Sequence, residues 1–491
     1  MESDHIAKSA TCDFCLTVAG GPATNVVFSS PYFVFLFLPA ALAMVLLARR
    51  WAFLPAIFLV SLAFYYWSAG PRTLILLGIV IVNYGGALWL ARSPRIALPV
   101  LILVNLATLF WFKYADFVAQ NLDLLLGTEW GDRTSRIALP AGISFFVFQA
   151  ISYLMDVRRG EIRAEKNFAR YAAYQSFFPH LIAGPIVRFR DVVDDFIRPR
   201  LSVDNFAAGV TRFAHGLFKK VVVADNIAPV ADSVFSLPVG EVDFASGWIG
   251  AIAYALQIYF DFSGYSDMAI GMAMMFGIRF TENFHRPYAS RSITEFWRRW
   301  HVTLSSWFRD YLYIPLGGNR GGTWATYRNL LIVFAATGLW HGAAWTFLCW
   351  GLYHGAFLVA ERLLFRSPLQ ALQSGALRYF YCLPVVIFGW VLFRADTFSH
   401  ATGQWATMLW PFERVSFEML SANTAITPYS AAALAIGAVI FFLPGDLSFG
   451  RRLMEGKSRP SLDLAYTTVA LAFAGTLVLT GRYSPFLYFQ F

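Results

Sequence analysis

Long, continuous apolar runs dominate this chain. They fall near 31–48, 52–67, 73–91, 96–112, 138–155, 206–230, 246–278, 329–346, 348–364, 379–395, 429–444 and 464–481. A helix needs about 20 apolar residues to cross a bilayer. The pattern therefore predicts an all-α polytopic membrane protein with about 11–12 transmembrane helices. An outer-membrane barrel is excluded, because its strands read as short alternating segments. Two runs are irregular. The first, 206–230, carries Lys219 and Lys220, which places its front half in the membrane interface. The second, 246–278, is 33 residues long and is expected to break near Gly264.

Two polar-flanked stretches are not ordinary loops. Phe177-Phe178-Pro179-His180-Leu181-Ile182-Ala183-Gly184-Pro185 is apolar but too rich in Pro and Gly for a clean span. It reads as re-entrant backbone, which a membrane protein tolerates where other protein covers it. The stretch 279–328 is dense in Arg, Trp and Tyr, and Trp297-Arg298-Arg299-Trp300-His301 within it reads as an interfacial helix.

Charge then orients the chain. The loop 114–137 carries four acidic and two basic residues, whereas 156–220 carries twelve Lys/Arg against seven Asp/Glu and 279–328 eight against three. Basic loops stay in the cytoplasm. This places 49–50, 92–95, 156–220, 279–328 and 445–463 inside, and both termini on the outer, periplasmic side. Residues 1–26 lack the basic and apolar regions of a secretory signal. They are expected to be a disordered extension before one domain covering 27–491.

Composition agrees with the spans and removes other classes. Of 491 residues 57% are hydrophobic and 14% charged, far from the roughly 25% charged of soluble domains. The net charge of +9 sits beside apolar runs and not in a Lys/Arg-rich arm, so nucleic acid is not an expected partner. Cys12 and Cys15 have no second pair to complete a zinc site. No Walker, Rossmann or nucleophile-elbow motif occurs, and no bound cofactor or metal is expected.

Two of the eight histidines, His341 and His354, sit inside strong apolar runs. His341 lies 13 residues beyond Arg328, roughly 20 Å along a helix. Trp340 and Trp345 flank it. Gly338 and Gly342 bracket it with small residues that admit a neighbouring helix. Burial favours the neutral imidazole, which can take a proton from a hydroxyl or attack an acyl carbon. The bland alternative is a histidine that hydrogen-bonds a neighbouring helix, and this window does not choose. His301 is either a second functional histidine or a headgroup-facing one. His354 reads as packing, and His180 as a loop cap. Asp261 and Asp267, six apart in an apolar run, require partners; arginines such as Arg298 or Arg309 are the expected ones.

At these residues the chain resembles the membrane-bound O-acyltransferases. The segment Trp340-His341-Gly342 resembles their catalytic segment. Phe28-Ser29-Ser30, Phe35-Leu36-Phe37-Leu38-Pro39, Phe178 to Pro185, Asp261 to Asp267, Phe296 to His301, Tyr313 to Arg320 and Pro485 to Phe491 resemble the bacterial alginate O-acetylase branch. The resemblance implies a helical membrane enzyme with a funnel through the bilayer, His341 as catalytic histidine and His301 as a second functional one. It implies acyl transfer across the inner membrane onto an exopolysaccharide, alginate foremost, with periplasmic acetyltransferase partner proteins. Peptidoglycan, another exopolysaccharide, or teichoic acid receiving D-alanine are alternative acceptors. Arg298 and Arg299 are candidates to hold the phosphates of an acyl donor, for which acetyl-CoA is the natural guess. A transporter, or a scaffold that leaves His341 dispensable, are the rival classes on composition alone.

Overall fold

The computed structural model describes residues 28–135, 137–365, 378–410, 424–442, 460–481 and 486–487. The extension 1–26 with Cys12 and Cys15, most of the loop 445–463 and most of the closing string 485–491 lie outside these. Among the described residues every regular element is helical. The apolar runs return as helices Leu38–Leu47, Phe53–Ala69, Thr73–Leu90, Pro94–Lys113, Ile143–Arg159, Trp345–Leu364, Leu383–Arg394, Pro428–Phe442 and Pro460–Leu479. Among the described residues three stretches are long and apolar enough to cross a membrane on that ground alone: Phe53–Leu90, Pro94–Lys113 and Pro460–Leu479. The others are shorter or carry polar residues, and their surroundings explain why. In Ile143–Arg159 nearly every residue is buried, including Ser152, which bonds the Gln149 carbonyl, and Asp156, which accepts from the Tyr311 hydroxyl. A helix enclosed by protein can place polar groups against partners, whereas a lipid-facing one cannot.

The longest run does not break. Phe244–Met275 is one helix of 32 residues, and Gly264 serves contact instead of a kink. The helix packs against Val203–Leu217 and the wider turn Phe218–Ala224 that continues it. A Cβ at Gly216 would lie 2.5 Å from the Gly264 carbonyl oxygen, and one at Gly271 2.6 Å from the Gly209 carbonyl oxygen. Two glycines on each helix, both pairs seven residues apart, thus let the backbones touch.

That contact also gives Lys219 and Lys220 their partners. Lys219 Nζ is 2.6 Å from Asp267, and Lys220 Nζ is 2.6 Å from both Asp225 and Asp261. Arg212 completes the cluster, 2.7 Å from Asp267 and 2.6 Å from Glu282. The two carboxylates are therefore paired, as burial requires, but by cations of the neighbouring helix and not by Arg298 or Arg309. The Leu487 backbone N–H donates to Asp261 at 3.0 Å, and Phe486 stacks on Tyr265 with centroids 4.5 Å apart. Residues 486–487 are thus tied to the same helix.

The segment 177–185 is covered by protein, which re-entrant backbone requires. Every residue from Tyr171 to Phe189 is buried, with a four-residue helix Phe178–Leu181 at its centre. His180 Nε2 bonds the Tyr174 carbonyl at 2.9 Å, at the end of helix Phe168–Ser176, which is the cap expected of it.

Candidate active site

The 329–346 run is not one span. Its helix begins at Gly322 and ends with His341, and the next starts at Trp345. His341 is therefore the last residue of a helix of 20 residues, about 29 Å from its start. The two helices fold back on each other through glycines. A Cβ on Gly338 would collide with the Phe347 carbonyl oxygen, and one on Gly351 with that of Phe334. A Cβ on Gly342 would collide with the Phe347 ring. The small residues around His341 thus admit a neighbouring helix, and that helix is the next in sequence.

A helix C-terminus leaves its last carbonyls without intrahelical donors. Here Lys113 and Tyr114, at the end of helix Pro94–Lys113, supply them. Lys113 Nζ donates to the carbonyl oxygens of Trp340 at 2.5 Å and His341 at 3.1 Å, and the Tyr114 hydroxyl to that of Leu339 at 2.8 Å. A cation at a helix C-terminus also meets the negative end of its dipole. The sequence signal for Lys113 was a lone cation closing an apolar run, which reads equally well as a snorkelling anchor. Sequence reasoning passed over it.

The His341 ring is buried among aromatic rings. It meets Trp340, Trp350 and Phe393 edge-on at centroid distances of 4.9, 5.1 and 5.3 Å. Trp340 also meets the ring of His301, at 6.0 Å. The tertiary fold thus gathers on one indole the two histidines singled out in the sequence, 40 residues apart. His301 is fully buried, so it does not face headgroups, and its burial favours the neutral imidazole. It precedes the short helix Val302–Phe308 with a left-handed backbone, φ 43°, a conformation uncommon for a residue with a side chain. The stretch 279–328 is consequently folded into the protein interior at this point.

The remaining candidates separate from this pair. His354 is buried between Trp297 and Trp350, with centroids 5.2 and 5.3 Å away, and Gly389 leaves room for its Nε2; it packs, as expected. Arg299 forms an ion pair with Glu295 at 2.6 Å. Arg298 is exposed, although Trp297 and Trp300 on either side of the pair are buried. An open cavity of about 660 Å³ lies elsewhere, where Met155 and Arg159 face Asp310 to Pro315. Its arginines are already engaged: Arg190 by Glu161, and Arg159 by the Asp310 carbonyl at 2.7 Å. It contains neither His301 nor His341.

Known proteins share this chain's sequence over most of its length. Residues 96–398 match the membrane-bound O-acyltransferase family, a segment that includes both histidines, Lys113 and the arginines. A probable alginate O-acetylase of Azotobacter vinelandii is 40% identical, over 95% of this chain and 100% of that protein. The probable alginate O-acetylase of Pseudomonas aeruginosa is 42% identical over 88% of this chain and 84% of its own. A peptidoglycan O-acetyltransferase of Helicobacter pylori is 36% identical over 76% and 78%. Family and relatives together separate the rival classes that composition left open, since these proteins are acyltransferases and not transporters or scaffolds. The chain belongs to the membrane-bound O-acyltransferase family and is an O-acyltransferase.

Proposed function

We propose that the chain passes an acetyl group across the inner membrane for O-acetylation of an exopolysaccharide, and that alginate is its acceptor. The observation that carries the reading is the 40% identity to an alginate O-acetylase over 100% of that protein's length. The pairing of His301 and His341 on Trp340 supports it. Peptidoglycan is the second reading, favoured by the Helicobacter pylori relative.

His341 is the catalytic residue in this reading. Either its imidazole takes the proton of the acceptor hydroxyl as that oxygen attacks the acyl carbon and the C–S bond to the donor breaks, the thiolate leaving and taking up the proton; or the imidazole attacks the acyl carbon itself, expels the thiolate and carries the group to the acceptor hydroxyl. His301 serves as the second functional group at the same indole. Acetyl-CoA is the donor from the cytoplasm, Arg298 and Arg299 hold its phosphates, and periplasmic acetyltransferase proteins receive the product group. The exposure of Arg298 beside buried tryptophans suits such a contact, while Arg299 would have to share Glu295.

In a strain lacking the chain, acetyl content of the alginate is expected to fall to background and to return on complementation. Unchanged acetylation would overturn the alginate reading. Complementation with Arg298→Gln and Arg299→Gln combined is expected to raise the apparent donor requirement about tenfold, the value of one charge-assisted hydrogen bond. Donor dependence unchanged at normal protein level would return both to headgroup anchoring.

The orientation follows from charge. The Lys/Arg excess in 156–220 and 279–328 keeps both stretches cytoplasmic and both termini periplasmic. Single cysteines replacing Arg159 or Arg320 are expected to react only from the cytoplasmic side. Labelling from the periplasm at either position would reverse the assignment.

A further inference from the structure

We propose that Asn283 is a positioning residue for the acyl-transfer reaction: it fixes the tautomer of His301 and so makes Nε2 the basic atom. The proposal rests on the reading of His301 as a functional group.

Asn283 lies outside every motif recognised in the sequence, in the irregular segment between helix Phe244–Met275 and helix Ile293–Arg299. It is 1% exposed, and both heteroatoms of its side-chain amide are hydrogen-bonded. Oδ1 accepts from the Thr303 backbone N–H at 3.3 Å and from the Thr303 hydroxyl at 2.9 Å. Nδ2 donates to the Ser266 hydroxyl at 3.1 Å. His301 Nδ1 is 3.0 Å from the same Oδ1.

The Thr303 backbone N–H settles the chemistry. It can only donate, so the amide atom facing it is the oxygen and the amide cannot be turned over. An oxygen can only accept, so His301 Nδ1 must carry the proton. In a neutral imidazole the other nitrogen then holds a lone pair. His301 Nε2 is buried and has no hydrogen-bond partner among the described residues. The lone pair on Nε2 is therefore not committed to a donor among the described residues.

Asn283 fixes the ring's place as well as its proton. Its backbone carbonyl accepts from the Val302 N–H at 2.9 Å. One residue thereby holds the first two N–H groups after the left-handed His301. Phe262 and Phe284 close the ring from the side, at centroid distances of 4.7 and 6.4 Å. Among the described residues His341 is the titratable group that faces His301, and no carboxylate or cation bears on its imidazole.

The test compares three variants of the full-length chain by acetyl transfer and by pH profile, each normalised to folded protein in the membrane. His301→Ala tests the underlying reading and is expected to lose transfer. Asn283→Leu keeps the volume but removes the acceptor; kcat is expected to fall at least about tenfold with KM unchanged, because a misoriented base forfeits part of the roughly 10²–10⁴-fold that a positioned one contributes. Asn283→Asp keeps the acceptor and is expected to retain transfer, with the acid limb of the pH profile moved upward by about one unit, because a carboxylate beside Nδ1–H favours the imidazolium. A role confined to folding would lower the amount of protein and leave the profile in place. If His301→Ala is active, the reading of His301 falls. If His301→Ala is inactive while Asn283→Asp keeps the wild-type profile, the Asn283 proposal falls alone, whether or not Asn283→Leu accumulates.

Discussion

His341→Ala and His341→Gln are both expected to lose polysaccharide acetylation by at least about 10²-fold, the contribution of a positioned general base, while folded protein persists in the membrane. The helix end itself does not depend on the imidazole. Lys113 and Tyr114 bind the carbonyl oxygens of Leu339, Trp340 and His341, and these remain in either variant. The substitutions remove, among other contacts, edge-on packing against Trp340, Trp350 and Phe393. Deleting a buried side chain costs about 2–5 kcal/mol, and Gln recovers part of that by filling the space. A histidine kept for structure therefore predicts graded loss of protein, with Gln milder than Ala. A catalytic one predicts equal loss of activity in both, since neither replacement accepts a proton or carries an acyl group at neutral pH. The measurement is acetylation beside the folded fraction by size-exclusion profile. Substantial acetylation by either variant would end the catalytic assignment.

The largest loss of stability is expected at Asp267. Its carboxylate, 9% exposed, joins Arg212 at 2.7 Å and Lys219 at 2.6 Å. Removing it leaves Lys219 without its carboxylate and Arg212 with only the partly exposed Glu282; breaking a buried ion pair costs about 3–5 kcal/mol. Asp267→Ala is thus expected to abolish most folded protein or to lower its thermal midpoint by many degrees. Glu282 supplies the control. It binds the same Arg212 but is 44% exposed, where an ion pair is worth about 1 kcal/mol or less. Glu282→Ala is expected to leave the midpoint within a few degrees. Equal heat stability of Asp267→Ala and the parent chain would show that the cluster does not support the Gly209–Gly271 helix contact.

Several parts of the site could be read from residue order because their physics is local. A histidine in an apolar run, glycines beside it, and a Pro/Gly-rich apolar stretch each carry their meaning within a few residues. So His341, Gly338 and the buried 177–185 segment were legible. Asp261 and Asp267 were legible only as a demand for partners. The identity of the partners was not, because Arg212, Lys219 and Lys220 meet them across a helix contact, and an arginine elsewhere satisfies the same demand on paper. Gly264 shows the same limit. A glycine in a long run signals a break or a close approach with equal force, and only the facing Gly216 carbonyl distinguishes them.

Residue order by itself determined the helical class, the membrane setting and the family, since hydrophobic run length and motif strings are properties of contiguous sequence. It also nominated His341 and His301. The tertiary structure decided that the two share Trp340, that Lys113 closes the His341 helix and that Asn283 orients His301. Each of these contacts joins residues far apart in the chain: Lys113 meets His341 across 228 positions and Asn283 meets His301 across 18. Buried carbonyls and a buried imidazole must find hydrogen-bond partners wherever the packing brings them. That requirement is visible in sequence, but the partner that meets it is set only when the helices pack.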